Sequence, residues 1–373
     1  MSPTILFLHG RASPRSHRRA SHHALAVDAG FRSFVAGWRD LRVTASGLEL
    51  RGGYEVLAGA ERRAVTLPVT IEPDVVLHRM MIHKPAARAL AQIATAFPGA
   101  LMSYHRTWRR MSGKWHCEEA LRAAEAAGPR VARPRTYLVR RCALATELEG
   151  VGATRRLIFK PSMGSMCRGI RLSEPATFTK IAAQLQHARW RRYVVQDLVD
   201  TPLLLDGHKF DIRLYVLVTS FHPLRMHVYH EGVARFAARA LAPLQPVDRL
   251  SQLTGASFRK RLKLPVENAP LSDVLPRLAA GGLSTENFWP TVERTLHDVF
   301  AGLAARLPAC GGHFYLGGID LLPQLRNGEL ELLFLETNYT PQLNAWGDSV
   351  DRALRDVHAG WLRHLRAELE VSS

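Results

Sequence analysis

Three stretches of the sequence carry residue types whose spacing could do chemistry. In residues 157–170, LIFKPSMGSMCRGI, a strand ends at Lys160, a Ser/Gly loop follows, and a second strand begins after Gly169. Glycines let backbone N–H groups approach an anion closely, and successive amides can form a nest for phosphate oxygens, with Lys160 adding charge. The loop is not a Walker A motif, because it lacks GxxxxGKS/T and no helix follows. Taken alone, strand–glycine loop–strand reads as a plain hairpin.

The second stretch is residues 207–219, GHKFDIRLYVLVT. Side chains alternate across a strand, so Asp211, Arg213 and Tyr215 share one face, while Ile212, Leu214, Val216 and Val218 share the other, apolar face. The polar face is either a structural Asp–Arg pair or part of a site. The third stretch joins Gly318-Ile319-Asp320 to Leu335-Glu336-Thr337-Asn338. Glu336 and Asn338 are two apart on a strand, so their oxygens point the same way. Two carboxylates and an amide oxygen form a hard-oxygen set suited to magnesium, which takes its remaining ligands from water and phosphate. The apolar run 332–335 argues against a solvated acidic strand end, because buried carboxylates need a partner or a metal.

The elements that must position these residues alternate between strands and helices. Residues 4–10 read as a buried strand ending in a glycine turn, 24–29 as helical, 73–79 as a strand, 85–96 as a helix and 100–103 as a strand. This pattern points to an α/β lobe with a largely parallel sheet. Further on, 113–127 is helical, 134–139 strand-like, 176–189 helical, and 193–198 and 210–219 strands. Residues 288–307 form an amphipathic helix, strands at 314–322 and 330–338 are joined by the turn Arg326-Asn327-Gly328, and 350–369 is a terminal helix. Residues 241–285 are Pro/Leu-rich with weak periodicity and read as a long irregular excursion.

Composition bounds the function classes. The chain has 373 residues and a formal net charge of +17. That length fits about two to three domains or lobes. Only seven of the 50 basic residues are lysines, so arginine supplies the excess. A polyanionic partner or a coding bias would each account for it. No apolar run approaches the roughly 18 residues needed to span a membrane. The run Ile5-Leu6-Phe7-Leu8 is too short for a signal-peptide core, and the basic residues follow it rather than precede it. Cys117, Cys142, Cys167 and Cys310 form no CxxC pair, which fits a reducing, cytoplasmic setting. His17, His22 and His23 read as a solvated, arginine-rich loop rather than a metal site. Trp108 and Trp115 read as packing residues, and Cys167 as incidental.

In this order, the three blocks resemble the ATP-grasp superfamily, and the second and third look specifically like the tubulin-tyrosine ligase-like family. The residues that carry the resemblance are Val194-Val195-Gln196, Pro202-Leu203-Leu204, Gly207 through Arg213, Val216 through Thr219, Glu231-Gly232, Arg235-Phe236, Asp320 and Leu335 through Asn338. It covers roughly residues 155–240 and 313–345. It implies an α/β (α+β) ATP-grasp fold: an N-terminal Rossmann-like pre-ATP-grasp lobe at 1–105, a central lobe with the glycine-rich lid loop at 106–195, and a C-terminal lobe with the magnesium site at 196–373. The last two lobes would sandwich ATP.

The implied activity is an ATP-dependent carboxylate–amine ligase. It would add an amino acid to an acidic protein or peptide acceptor through an acyl phosphate, releasing ADP and phosphate. By the same resemblance, Lys114 and Lys160 would contact ATP phosphates. Ser162, Gly164, Ser165 and Gly169 would form the lid. Gln196, Asp197 and Leu198 would meet adenine, with Lys209 near the base and Asp211 in the nucleotide site. Arg213 would face the γ-phosphate and the acceptor carboxylate, Arg235 would hold the incoming amino acid, and Asp320, Glu336 and Asn338 would bind Mg2+. The catalytic set is then Arg213, Arg235 and Lys160.

The sequence departs from the family pattern at Asp197-Leu198, where a basic–aromatic pair is usual, and in the lid residues Met163, Met166 and Cys167. It also departs at Ala237-Ala238-Arg239, and at Gln252-Leu253-Thr254-Gly255, where His-Leu-Thr-Asn is usual. Three alternatives stand beside this reading, one of them a pseudo-ligase that binds ATP as a scaffold, against which the retained Asp320, Glu336 and Asn338 argue. A second is a small-molecule ATP-grasp ligase. Another is a basic nucleic-acid-binding protein using Arg15, Arg18, Arg19, Arg109 and Arg110, although no helix-turn-helix, zinc or RNP-like pattern is present.

Overall fold

The computed structural model describes residues 2–9, 20–78, 84–126, 128, 130–164, 167–242, 247–309, 311–339, 341 and 347–372. Ser165 and Met166 of the lid, Cys310, His17, and the basic run with Arg15, Arg18 and Arg19 lie outside the described residues. Together the described residues form a mixed α/β structure with several sheets.

The run ILFL forms the strand Thr4–His9, buried on both faces. It pairs in parallel with Arg32–Gly37 and Val75–His78, and the latter pairs in parallel with Leu101–Met102. Strands covered on both faces need a near-continuous apolar run, which is what this one has. Ile5 and Phe7 point to one side, where Trp361, Leu362 and Leu365 of the helix Arg355–Ser372 cover them. Leu6 and Leu8 point to the other, toward Leu90 and Ile93 of the helix Lys84–Ala96. The sheet ends in two antiparallel strands, Tyr54–Val56 and Arg62–Ala64. Leu41–Thr44, Gly47–Leu50 and Val69–Ile71 form a separate antiparallel sheet. These short strands have no counterpart in the sequence reading.

His23 is a correction to that reading. It is buried in the first core, its ring 4.5 Å from Phe7 and 5.5 Å from His9. Neighbouring arginines suggested solvent, but the helix Ala20–Asp28 turns this position onto the sheet.

The central sheet is antiparallel, in the order Thr136–Arg140, Arg192–Asp197, Leu157–Pro161, Arg171–Ser173. One face packs on the helix Phe178–Gln186 through Leu157, Phe159, Tyr193 and Val195. Alternation then sends Ile158, Lys160 and Gln196 to the opposite face.

The C-terminal sheet runs Asn268–Pro270, Leu224–Phe236, His208–Phe221, Tyr315–Arg326, Glu329–Asn338, all antiparallel. Asn327 and Gly328 both have positive φ, 55° and 82°, the conformation a tight Asn-Gly hairpin requires. Ile212, Leu214, Val216 and Val218 pack under the helices Lys114–Glu125 and Phe288–Ala304. The opposite face of the same strand is split. Tyr215 and Leu217 enter the core shared with the N-terminal sheet, while Asp211 and Arg213 sit at the cleft. The stretch 241–285 also corrects the sequence reading, because it holds the helices Arg249–Gln252, Ala256–Arg261 and Leu271–Ala280. Glu231 Oε1 accepts from the amides of Leu271 and Ser272 at the start of the last of these, 2.8 and 3.3 Å away. The Glu-Gly pair is thus an anchor for that helix.

Candidate active site

Strand register assembles the site. Arg213 lies opposite Asp320, Asp320 opposite Glu336, and Asp211 opposite Arg235, on four adjacent strands. A bulge falls between Asp320 and Leu321, where the partner jumps from Glu336 to Phe334. Such an extra residue re-aims neighbouring side chains, and Leu335, Glu336 and Asn338 all line one cavity of about 320 Å3 between the central and C-terminal sheets.

Ion pairs hold the cavity floor. Arg213 donates to both oxygens of Asp320, with Nη2 2.9 Å from Oδ2. Arg235 donates through Nε and Nη2 to Asp211 at 2.6 and 2.7 Å, and its Nη2 also lies 2.8 Å from Asp320. Thr254 donates its hydroxyl to Asp211 at 2.6 Å. Lys114, the first residue of its helix, lies 2.8 Å from Glu336 and donates to the carbonyl of Gly164 at 3.0 Å, so it ties the Ser/Gly loop after Lys160 to the floor. Lys160 donates to Gln196 at 2.6 Å, and Gln196 in turn donates to Thr136 at 3.0 Å. Lys209 donates to Gln252 at 2.8 Å.

These contacts set the protonation states. Burial alone would raise the Asp320 pKa, but Arg213 and Arg235 override it and hold the carboxyl far below the usual range. Burial opposes the charge of Glu336 too, and Lys114 outweighs it, so its pKa is also lowered. Lys114 is raised, because Glu336 outweighs the cost of burial. Lys160 is lowered by burial, with Lys114 adding to the effect. Lys209 falls to about 8 through burial and the nearby charge of Lys160.

Of the residues singled out from sequence, Lys114, Lys160, Gly164, Gln196, Asp197, Leu198, Lys209, Asp211, Arg213, Arg235, Asp320, Glu336 and Asn338 line this one cavity. Ser162 and Gly169 do not. Gly169, at φ 73°, packs on Trp190, where an added Cβ would lie 2.7 Å from the indole nitrogen. Asp197 lines the edge and pairs outward with Arg155. Gln252 and Thr254 had no assigned role. Their spacing of two matches that of Lys209 and Asp211, which they contact, and that shared interval was the available signal. Cys167 also lines the cavity, in left-handed backbone at φ 55°, and burial pushes its thiol pKa up.

Six cations, Lys114, Lys160, Arg168, Lys209, Arg213 and Arg235, line the cavity with four carboxylates, Asp197, Asp211, Asp320 and Glu336. Cations therefore exceed carboxylates by two, a balance suited to a polyphosphate anion. The donor chemistry also fits magnesium. Asp320 and Glu336 are cross-strand neighbours, and Glu336 Oε1 makes only a 3.4 Å contact with the Asn338 amide, which leaves it lone-pair capacity. Among the described residues no group of three or more His, Cys, Asp or Glu is placed to hold a metal ion. A magnesium site here would rest on two carboxylates and an amide, completed by phosphate and water. No helix among the described residues is long and apolar enough to cross a membrane.

The tubulin-tyrosine ligase family profile matches residues 114–364. The chain is similar to a probable tubulin polyglutamylase, TTLL2, of Homo sapiens, 29% identical over 160 residues that cover 40% of this chain and 26% of that protein. It is similar to the tubulin polyglutamylase TTLL6 of Mus musculus, 27% identical over 237 residues, 56% of this chain and 27% of that protein. A protein monoglycylase of the same organism, TTLL8, is 28% identical over 192 residues, 48% and 23% of the two chains. The chain thus spans about a quarter of the length of these relatives. The match begins at Lys114, takes in every cavity residue described above and runs into the last helix, and the chain belongs to the tubulin-tyrosine ligase family.

Proposed function

We propose that this chain is an ATP-dependent ligase that joins an amino acid to a carboxylate of a protein or peptide acceptor. The observation that carries the reading is the cationic cleft with Asp320, Glu336 and Asn338 together at its floor. Two carboxylates kept ionised in a cavity lined by six cations suit a metal-bound polyphosphate better than a neutral substrate.

In the first step an acceptor carboxylate oxygen attacks the γ-phosphorus of ATP. The bond from that phosphorus to the bridging oxygen breaks, and ADP leaves. In the second, the amine of the incoming amino acid attacks the acyl carbon. The carbon–oxygen bond to phosphate breaks, phosphate leaves, and the amine loses its proton to solvent. Phosphoryl transfer needs positioning and charge neutralisation more than covalent help from the protein. Lys114 and Lys160 supply charge at the phosphate end, and Arg213, whose Nε and Nη2 hold Asp320, adds fixed positive charge beneath the reacting groups. Arg235, with two donors engaged by Asp211 and Asp320, acts as a positioning residue that holds both carboxylates in place. Asp320, Glu336 and Asn338 would hold Mg2+, which when bound neutralises phosphate charge.

The test uses an acceptor peptide whose carboxylates carry heavy oxygen. One labelled oxygen per turnover should appear in the released phosphate. ADP formation with unlabelled phosphate would contradict the acyl-phosphate route.

A further inference from the structure

Behind the cavity floor lies a buried group of ion pairs that the reaction outlined above does not use. Arg133 precedes Pro134, a residue of the cavity wall, and its own side chain is 9% exposed. Its Nε donates to Glu118 at 2.9 Å. Its Nη2 donates to Glu118 at 3.3 Å and to Glu125 at 3.0 Å. Its Nη1 donates to Glu125 and, at 3.1 Å, to the carbonyl of Val131. All the N–H donors of a guanidinium are thereby engaged.

Glu118 and Glu125 belong to the helix Lys114–Glu125, whose first residue is Lys114. Around a helix of this pitch, positions 114, 118 and 125 fall within about 40° of one another, so they share a face. Arg133 is fixed on its other side to the C-terminal sheet. The carbonyl of neighbouring Ala132 accepts from the amide of Phe334 at 2.8 Å. Phe334 stands two residues before Glu336, at the bulge opposite Asp320 and Leu321. One guanidinium therefore joins the helix that carries Lys114 to the strand that carries Glu336. Lys114, Glu118, Arg133, Lys160 and Glu336 all line one small cavity of about 20 Å3, so the ion pairs abut the charges of the larger cleft.

Stability alone is a weak reason for such a group. Taking three charges out of water costs free energy that their attraction only offsets, and packed apolar side chains of like volume often serve as well. The charged fork adds a fixed geometry. Apolar contacts would let the helix slide or turn. Bonds to two carboxylates about two turns apart define both its rotation and its axial position. Placement matters at a reacting centre, where a shift of about 1 Å can cost about 100-fold in rate.

We propose that Arg133 is a positioning residue for the nucleotide site. By clamping Glu118 and Glu125 to the segment paired with the strand Glu329–Asn338, it sets the place of Lys114 opposite Glu336. The proposal rests on the ligase reading above, in which Lys114 meets the phosphates of Mg-ATP.

The experiment is isothermal titration calorimetry of the full chain with Mg-ATP, with the melting transition of each variant recorded. Arg133→Lys keeps a charge but cannot span both carboxylates, and it should weaken Mg-ATP binding about tenfold. In a Lys114→Gln background the same change should cost less than about twofold more, because the residue it acts through is gone. Arg277→Ala, which removes an exposed pair with Asp206, should leave the affinity unchanged. If Arg133→Lys does not fold, Glu125→Gln, which leaves Glu118 bound, should show a smaller loss in the same direction. A lowered melting temperature with wild-type affinity would show a merely structural role and overturn the proposal. Equal losses with and without Lys114, or an equal loss in Arg277→Ala, would also overturn it. Wild-type protein that does not bind Mg-ATP contradicts the ligase reading, whereas wild-type binding that Arg133→Lys leaves unchanged contradicts only the role of Arg133.

Discussion

Thr254 donates its hydroxyl to Asp211 across 2.6 Å, and two residues before each, Gln252 accepts from Lys209 across 2.8 Å. The end of the short helix Arg249–Gln252 and the residues just after it are thereby laced to the strand that carries Lys209, Asp211 and Arg213. Asp211 already receives two bonds from Arg235, so Thr254 completes its hydrogen bonding rather than its charge.

Thr254→Val keeps the shape and removes this donor. A hydrogen bond to an ionised group contributes about 1.5–3 kcal/mol. Denaturant unfolding should show a loss within that range, and calorimetry should show weaker Mg-ATP binding. Unchanged affinity would separate Asp211 from the nucleotide site.

Arg235→Lys retains one charge but not the fork that spans Asp211 and Asp320. Breaking a buried pair while its partners stay charged costs about 3–5 kcal/mol. A melting temperature lowered by several degrees is the expected result, with turnover reduced further than stability. A variant as stable as wild type would show that a point charge suffices there.

Glu336→Gln removes the partner of Lys114. This pair is partly accessible, at 18% and 26% side-chain exposure, so the stability cost is reduced by solvent to about 1 kcal/mol. Turnover should nevertheless vanish, because the variant loses a carboxylate from the proposed magnesium set. Circular dichroism checks that the fold is kept, and full ADP release would contradict the assignment.

The pH dependence follows from downward shifts that have opposite consequences for a cation and for a carboxylate. Lys209 has a pKa of about 8 in the folded chain, below its unfolded value, so the unfolded state holds more protons between about pH 8 and the ordinary lysine range near pH 10. Stability contributed by this residue therefore rises with pH across that window, and at neutral pH its buried charge is a cost. Asp320 and Glu336 are depressed too, but for a carboxyl this favours the charged, folded form. Their contribution is present above the usual carboxylate range near pH 4 and is lost as the pH falls through their folded values. Lys209→Met should raise the melting temperature of the ligand-free protein at neutral pH by a few degrees and abolish the gain toward about pH 9.5. Thermal melts at both pH values measure this.

The amount that could be read in advance differs by region for physical reasons. The strand His208–Phe221 was legible because alternation over a long strand separates Asp211 and Arg213 from Ile212 and Leu214. Glu336 and Asn338 were legible as a pair two apart, but the bulge that also brings Leu335 to the cavity was not, because a bulge is set by the partner strand. The partners of Arg235 required the register of a hairpin with two irregularities, which no local pattern encodes. Residues 249–280 form helices of four to ten residues, one with Pro276 inside, too short to leave a clear period. The strands between 32 and 71 are mostly three or four residues long and escaped for the same reason. His23 was misread because burial at that position comes from a sheet far away in sequence, not from its arginine neighbours.

Intact-mass analysis of candidate acceptor proteins, incubated with the full chain, Mg-ATP and a pool of amino acids, tests the central claim most directly. Expected is a mass increase on an acidic acceptor equal to one amino acid less water, or multiples of it, matched by ADP and abolished by Glu336→Gln. ADP release that leaves every protein mass unchanged while a free dipeptide accumulates would contradict ligation to a protein.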